Sequence, residues 1–159
     1  MLDCIPQTMK IVEAITPQAG AAITGDYVSL KNCPRCFVVV HVNQADVAQM
    51  TISIEQATAV LPSGSKVITK VVPIWANEDC AASDTLVRQT DAVDFELSAA
   101  VKHKVVVFQV DADTLDIANG FDCITVKTGA SNAANITSAM YYLSDYAYQQ
   151  STPPTAITD

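Results

Sequence analysis

The sequence predicts an all-β fold, a two-sheet antiparallel sandwich of the jelly-roll or Greek-key type. The first observation is that 19 Val, 12 Ile and 15 Thr stand against 7 Leu, and β-branched residues pack well on pleated sheets. The second is that about nine short segments alternate or run apolar, with turn signals such as Asn119-Gly120 between them. The third is that helical patterns are few. Many short strands with few helices indicate a sandwich or barrel.

The elements divide the chain into three parts. Residues 1–25, rich in Pro, Ala and Gly, are predicted as an N-terminal arm or short helix, in which residues 8–15 form two helical turns before Pro17. Residues 26–143 are predicted as the sandwich, with a short helical turn over residues 113–118. Residues 144–159 are predicted as an extended tail, because its adjacent prolines exclude a helix. The expected strands are residues 27–31, 36–42, 50–58, 66–75, 85–90, 93–97, 104–111, 121–127 and 138–143.

Two parts of the chain show a similar order of strands. Segments 27–30, 37–42 and 51–54 are followed by similar segments at 94–97, 105–110 and 123–126, with offsets of 67, 68 and 72 residues. The offset increases in the polar connection between the second and third segments, where insertions are tolerated. Two similar units predict a sandwich with pseudo-two-fold character. The alternative is chance similarity among β-rich segments.

Composition and charge exclude several classes of protein. With 159 residues, 50% hydrophobic and 16% charged, the chain suits one folded domain and not a disordered protein. No apolar run approaches the roughly 18–20 residues of a membrane span, so we expect no membrane partner. The net charge of −8 argues against nucleic-acid binding, which needs clustered Lys and Arg. The five cysteines, an odd number, and an N-terminus without signal-peptide character favour a reducing compartment.

The sharpest local pattern is Cys33-Pro34-Arg35-Cys36. Such a pair can ligate zinc or exchange thiols, so Cys33 and Cys36 are weak metal candidates. Zinc needs four ligands and a redox pair needs a following helix, whereas a valine run follows here. Incidental turn cysteines are the simpler interpretation.

Other candidates for chemistry lack the required spacing. His41 and His103 are each open to a catalytic interpretation, but no nucleophile-elbow pattern accompanies them. The aspartates at 111, 113 and 116 do not match the ligand positions of a calcium loop, because position 12 is Asp122 and not Glu. We therefore expect no enzymatic activity and no cofactor.

Aromatic and proline residues supply the interface candidates. Trp75, the single tryptophan, is either a core residue or an interface anchor. The tail is able to dock on a neighbour or to lie along its own domain. Its interface candidates are Tyr146, Tyr148, Pro153 and Pro154.

The order of the segments resembles a group of small virion proteins of tailed bacteriophages, encoded among head-morphogenesis genes. The resemblance spans about residues 20–159 and rests on strand and turn patterns. Among the segments that carry it are Gly25-Asp26-Tyr27-Val28-Ser29, Pro73-Ile74-Trp75-Ala76-Asn77 and Met140-Tyr141-Tyr142-Leu143-Ser144.

Such proteins are usually capsid decoration (cement) proteins. The resemblance therefore implies a non-enzymatic protein, made in the host cytoplasm, that decorates or stabilises a capsid by binding the major capsid protein. It also implies a homo-oligomer, with a trimer favoured. The CxxC pair is not a feature of the group, so no site is carried over. The alternatives are another head–tail or tail subunit, and a cytosolic metal- or thiol-binding protein centred on Cys33 and Cys36.

Overall fold

The structure, a computed structural model, describes residues 5–62, 64–144 and 156. The described residues form two antiparallel sheets of six strands each, so the prediction of an all-β two-sheet sandwich is confirmed. The first sheet has the order β1-β12-β4-β10-β7-β8. The second has the order β2-β11-β5-β6, with β3 also paired to β11 and β9 to β5. The strands are β1 Lys10–Ala19, β2 Ile23–Thr24, β3 Val28–Ser29, β4 Arg35–Asn43, β5 Thr51–Ala57, β6 Lys66–Val67, β7 Ile74–Asn77, β8 Val87–Arg88, β9 Asp94–Glu96, β10 His103–Asp111, β11 Cys123–Thr128 and β12 Ile136–Ser144.

Eight of these strands follow the jelly-roll order. Numbered one to eight along the chain, β1, β3, β4, β5, β9, β10, β11 and β12 occur in the two sheets as 1-8-3-6 and 2-7-4-5. This arrangement interleaves two Greek keys. The remaining pair, β7 and β8, extends the first sheet beyond β10.

The core lies between the two sheets and is filled mainly by branched aliphatic side chains. In β4 and β10 every second residue is buried, as the two-residue period of a strand requires. Burying one such side chain stabilises the fold by about 1.5–3 kcal/mol. Core residues with no solvent exposure include Val38, Val40, Ile52, Ile54, Ile74, Val106, Phe108, Val110, Ile124 and Val126.

The strand register agrees with the internal repeat. Val39 pairs with Val107 in the first sheet, and these two residues differ by the 68-residue offset of the middle segments. Ile54 pairs with Val126 in the second sheet, and these differ by the 72-residue offset of the last segments. A pseudo-two-fold axis therefore passes through the centres of both sheets. Exchanging β4 with β10, β12 with β7 and β1 with β8 reverses the order of the first sheet.

The two halves of the chain are interleaved. The first half contains β1 to β7 and the second half β8 to β12. In the first sheet, strands of the two halves alternate, so every ladder joins one half to the other. Among the ladders of the second sheet, β5 with β6 is the one within a single half.

Two predictions about the strands are wrong. Residues 8–15 were expected as a helix within an arm of residues 1–25. Instead only Ile5–Thr8 makes a helical turn, and Lys10–Ala19 is a strand of the first sheet. Pairing with β12 outweighs the local helical spacing, and Pro17 is tolerated because β1 is an edge strand. The sandwich therefore begins at Lys10 and not at residue 26.

Residues 66–75, expected as one strand, form two strands in different sheets. The short β6 pairs with β5 in the second sheet, and β7 pairs with β10 in the first. Pro73, which has no N–H to donate, lies at the start of the second piece. The expected turn at 113–118 is present as two 3₁₀ turns, Ala112–Thr114 and Ile117–Asn119, the second ending at Gly120 with φ of 82°. The predicted tail lies outside the described residues, apart from Ser144 and Ala156, and Ala156 packs against the core.

Candidate interaction surface

The outward-facing sides of the two sheets differ in polarity. On the second sheet, Thr51, Ser53 and Glu55 of β5 point away from the core, and Lys127 of β11 pairs with Glu55 at 2.8 Å. This is the usual division of an antiparallel sheet, apolar toward the core and polar toward water. The first sheet does not follow it.

Ser138, His41 and Gln109 are polar residues on the outer side of the first sheet, but most side chains at the centre of this side are apolar. We call this set of partly exposed side chains the apolar face. It comprises Phe37 and Val39 of β4, Trp75 of β7, Val105 and Val107 of β10, and Met140 and Tyr142 of β12. Because the same strands also bury apolar residues toward the core, their central segments are apolar on both sides. Strands of that kind are normally covered on both faces.

The register lines up one row of side chains across the whole face. Met140, Val39, Val107 and Trp75 are neighbours on adjacent strands. Directly opposed residues on adjacent strands place their side chains on the same side of a sheet. The row is therefore continuous across the four inner strands, and the pseudo-two-fold axis passes through its middle.

The two ends of this row carry opposite charges. Glu13 on β1 pairs with Met140, and Arg88 on β8 pairs with Trp75. Arg88 lies over the Trp75 ring, with its guanidinium carbon 4.7 Å from the ring centroid, and it also forms an ion pair with Asp91. The row thus runs from an exposed acid to a base across an apolar centre.

The extent of the face is that of a protein-binding site. Six strands at a spacing of about 4.8 Å give a width of about 24 Å, and seven residues along β4 give a length of about 20 Å. The outer side of the sheet therefore has a flat area of about 480 Å², and the apolar face, on four of the six strands, takes up about 320 Å² of it. That is in the range where an exposed apolar patch marks an interaction site. The arrangement is suited to binding another protein surface.

At one border of the face the two histidines of the chain stack on each other. The rings of His41 and His103 are parallel to within 8°, with centroids 6.2 Å apart, and both side chains are exposed. They are 62 residues apart in the sequence. The ladder of β4 with β10 brings them together.

The structure places one predicted interface residue, Trp75, in the apolar face. The other four, Tyr146, Tyr148, Pro153 and Pro154, lie outside the described residues. The remaining members of the face were missed, although a signal was present. Residues 36–40 and 105–108 are continuous apolar runs where a sandwich strand should alternate.

The cysteine pair is placed as core and turn residues. Cys36 has no solvent exposure and Cys33 is 2% exposed, and the Cys33 thiol donates to the Ser144 carbonyl at 2.8 Å. Burial raises the pKa of the Cys36 thiol well above its ordinary value, and Cys33 adds to the rise. Since zinc binds thiolates, this environment disfavours a metal. Within the described ranges no group of three or more His, Cys, Asp and Glu is placed to hold a metal ion.

Two of the three aspartates considered for calcium, Asp111 and Asp116, bind basic side chains of different elements through their carboxylates. Arg35 Nε donates to Asp111 at 2.7 Å, and Lys66 Nζ donates to Asp116 at 2.7 Å. The hydrogen bond from Lys66 is the main cause that lowers the pKa of the Asp116 carboxyl. These carboxylates therefore support turns and strand ends.

One buried charge was missed by sequence reasoning. Lys104 points into the sandwich with no exposed side-chain surface, and its Nζ donates to the Ser98 carbonyl at 2.6 Å and hydroxyl at 2.9 Å. Glu78 lies 3.9 Å away. Burial lowers the pKa of Lys104, and Glu78 partly opposes that shift. The burial of Lys104 could not be predicted from the sequence, because a lysine at the start of a strand is ordinarily exposed.

The surface also has an open depression of about 280 Å³. Its lining is mainly apolar and consists of Leu30, Lys31, Ala112, Ile117 and Asp122. In the part of the chain that the structure describes, no helix has the length and apolar character needed to cross a membrane.

Comparison with known proteins finds a likeness among solved structures. No protein-family model matches the chain, and no curated protein matches it. Among solved structures, the chain is similar to the crystal structure of the SPBc2 prophage-derived protein YomS, with a TM-score of 0.47 and 7% identity. The match covers 86% of this chain and 93% of that one. At this level of identity, the likeness concerns the course of the chain and not its activity.

Proposed function

We propose that this chain is a non-enzymatic structural protein of a tailed-bacteriophage particle. In this proposal it decorates or stabilises the capsid by binding the major capsid protein, and it is made in the host cytoplasm before it joins the capsid surface. The observation that carries the proposal is the apolar face, because a sheet that is apolar on both sides is normally covered by protein, as it is in a subunit of an assembly. The resemblance of residues 20–159 to small virion proteins indicates that the assembly is a phage particle.

The rest of the surface agrees with a role in binding alone. His41 stacks on His103, and Cys33, Asp111 and Asp116 are held by hydrogen bonds to other parts of the fold. The net charge of −8 also disfavours adhesion to packaged DNA, since DNA is itself strongly negative. A sandwich that carries the apolar face on one side is suited to be a subunit of a shell.

The experiment is to purify the phage particles and measure the copy number of this protein by quantitative mass spectrometry against the major capsid protein. We expect a copy number on the order of hundreds, as the symmetry of a decorated shell requires. Absence from the particles would refute the proposal. A ring-sized copy number would refute decoration and favour a head–tail or tail subunit.

A binding assay tests the proposed partner directly. Purified protein is incubated with capsids that lack it and then sedimented. We expect it to pellet with capsids and to remain in solution without them. Recovery in the supernatant in both cases would contradict binding to the major capsid protein.

A further inference from the structure

We propose that two copies of this chain pair through their apolar faces, about a two-fold axis parallel to the strands of the first sheet. The occupant of the face is therefore a second copy of the same chain, and in the capsid proposal the pair contacts the major capsid protein through surfaces other than this face. This pairing does not depend on where the protein acts, so it can be tested apart from the capsid proposal.

The first argument is the area of the outer side of the first sheet. With the charged ends of the row included, its flat area of about 480 Å² per copy corresponds to about 1,000 Å² buried in a pair, before side-chain relief is counted, which reaches the lower limit for a specific interface. Two sheets of this kind pack face to face with their strands nearly aligned. The outer side of the sheet is therefore wide enough to meet a copy of itself, with the apolar face at the centre of the contact.

The second argument is charge complementarity. In the central row, Glu13 and Arg88 lie at opposite ends, with the two-fold centre at Val39 and Val107 between them. A two-fold axis parallel to the strands exchanges the two ends of the row. Glu13 of each copy then lies opposite Arg88 of the other copy, and the row is complementary to itself.

The alternative axis, perpendicular to the strands within the interface, leaves the ends of the row in place. It would bring Glu13 against Glu13 and Arg88 against Arg88, which is unfavourable. A neighbouring pair of residues favours the same choice. Arg35 on β4 and Asp111 on β10 are directly opposed and form an ion pair within one copy, so the axis parallel to the strands places each of them over the opposite charge of the other copy's ion pair.

The third argument concerns symmetry. A closed two-fold pair uses the same patch on both subunits, whereas a ring of three needs two different complementary patches. The apolar face is one patch centred on the pseudo-two-fold axis. It therefore favours a dimer, whereas the sequence resemblance favours a trimer.

The test is light scattering coupled to size-exclusion chromatography on the full chain at tens of micromolar. We expect a mass about twice the 16.9 kDa of one chain. The variant Val107→Lys puts a charge at the centre of the face and is expected to lose the dimer. The matched control is Val47→Lys, because Val47 is 64% exposed in the loop between β4 and β5 and lies off the face; it should remain dimeric. Circular dichroism verifies that each variant is folded.

Charge reversal tests the orientation of the pair and does not require a change in the apolar centre. Glu13→Lys and Arg88→Glu should each raise the dissociation constant about 10-fold, and the double variant should restore it, since each ion pair contributes modestly and occurs twice. Failure of the double variant to recover overturns the proposed axis. A monomeric or trimeric wild-type chain overturns the pairing itself, whatever the result on virions.

Discussion

At the scale of single residues, Tyr141 ties the two sheets together. Its side chain is fully buried, and its hydroxyl donates to the Asp26 carbonyl at 2.8 Å and accepts from the Val126 N–H at 3.0 Å. Burial raises the pKa of this hydroxyl far above its ordinary value, so it stays protonated and able to donate. A phenol that bridges β12 and β11 is thus part of the core.

We expect Tyr141→Phe to lower the free energy of unfolding by about 1–3 kcal/mol, because a buried N–H loses its acceptor. The matched control is Tyr142→Phe, one position along β12 and on the partly exposed apolar face. Its effect should stay within about 0.5 kcal/mol. Urea unfolding measures both, and equal losses in the two variants would contradict the bridging role of Tyr141.

Lys104 gives a residue-scale dependence on pH. Its pKa in the folded protein is lowered from the ordinary 10.5, so between the two values the unfolded chain binds more protons than the folded one. Stability therefore rises with pH through that window. Buried thiols act in the opposite direction, because the pKa of Cys123 is raised to about 12.

Comparison with Lys104→Met isolates the lysine contribution. We expect the variant to lack the rise that Lys104 contributes as pH approaches 10.5, while the thiol contributions stay the same. The control is Lys102→Met, which removes a lysine whose side chain is 46% exposed and should retain the wild-type slope. Denaturant midpoints over a pH series provide the measurement. Identical slopes in Lys104→Met and wild type would show that the buried ammonium does not titrate in this way.

At the scale of elements, the two halves of the chain depend on each other. The ladders of the first sheet all connect a strand of one half to a strand of the other. Neither half retains a neighbour for its central strand, β4 or β10, when the other is absent. The edge strands also follow the repeat, with β1 and β8 in equivalent places.

We expect that fragments 1–80 and 81–159, made separately, are unfolded, and that mixing them restores the β-sheet signal. The cut lies in the exposed connection between β7 and β8, where a break removes no strand. Circular dichroism and the cooperativity of thermal unfolding distinguish the states. A cooperative transition in either fragment alone would contradict interleaving.

At the scale of the whole molecule, pairing of two copies makes stability depend on concentration. An association that binds only the folded state raises Tm as the protein concentration rises. We expect this increase in the wild-type chain and not in Val107→Lys, while Val47→Lys behaves like wild type. Calorimetry over a range of concentrations measures it. A wild-type Tm that is independent of concentration would argue against the dimer.

Local patterns in the sequence carried the fold class, most of the strands and the internal repeat. They failed for residues 10–15, where helical and strand spacing coincide and only pairing with β12 decides. They also failed for Lys104, whose burial depends on the direction of β10 in the sheet. Trp75 was identified as an interface candidate, but its neighbours in the apolar face come from three other strands far apart in the sequence.

The sequence by itself therefore determined an all-β sandwich of two similar units, because side-chain branching and a two-residue period are local properties. Only the tertiary structure decided that the two valine runs lie side by side at the centre of one sheet. That adjacency arises from ladders between residues about 68 positions apart, and no local pattern encodes it. The same ladders place Glu13 and Arg88 at opposite ends of one row. In the proposed pair, this position brings the acid of each copy opposite the base of the other copy.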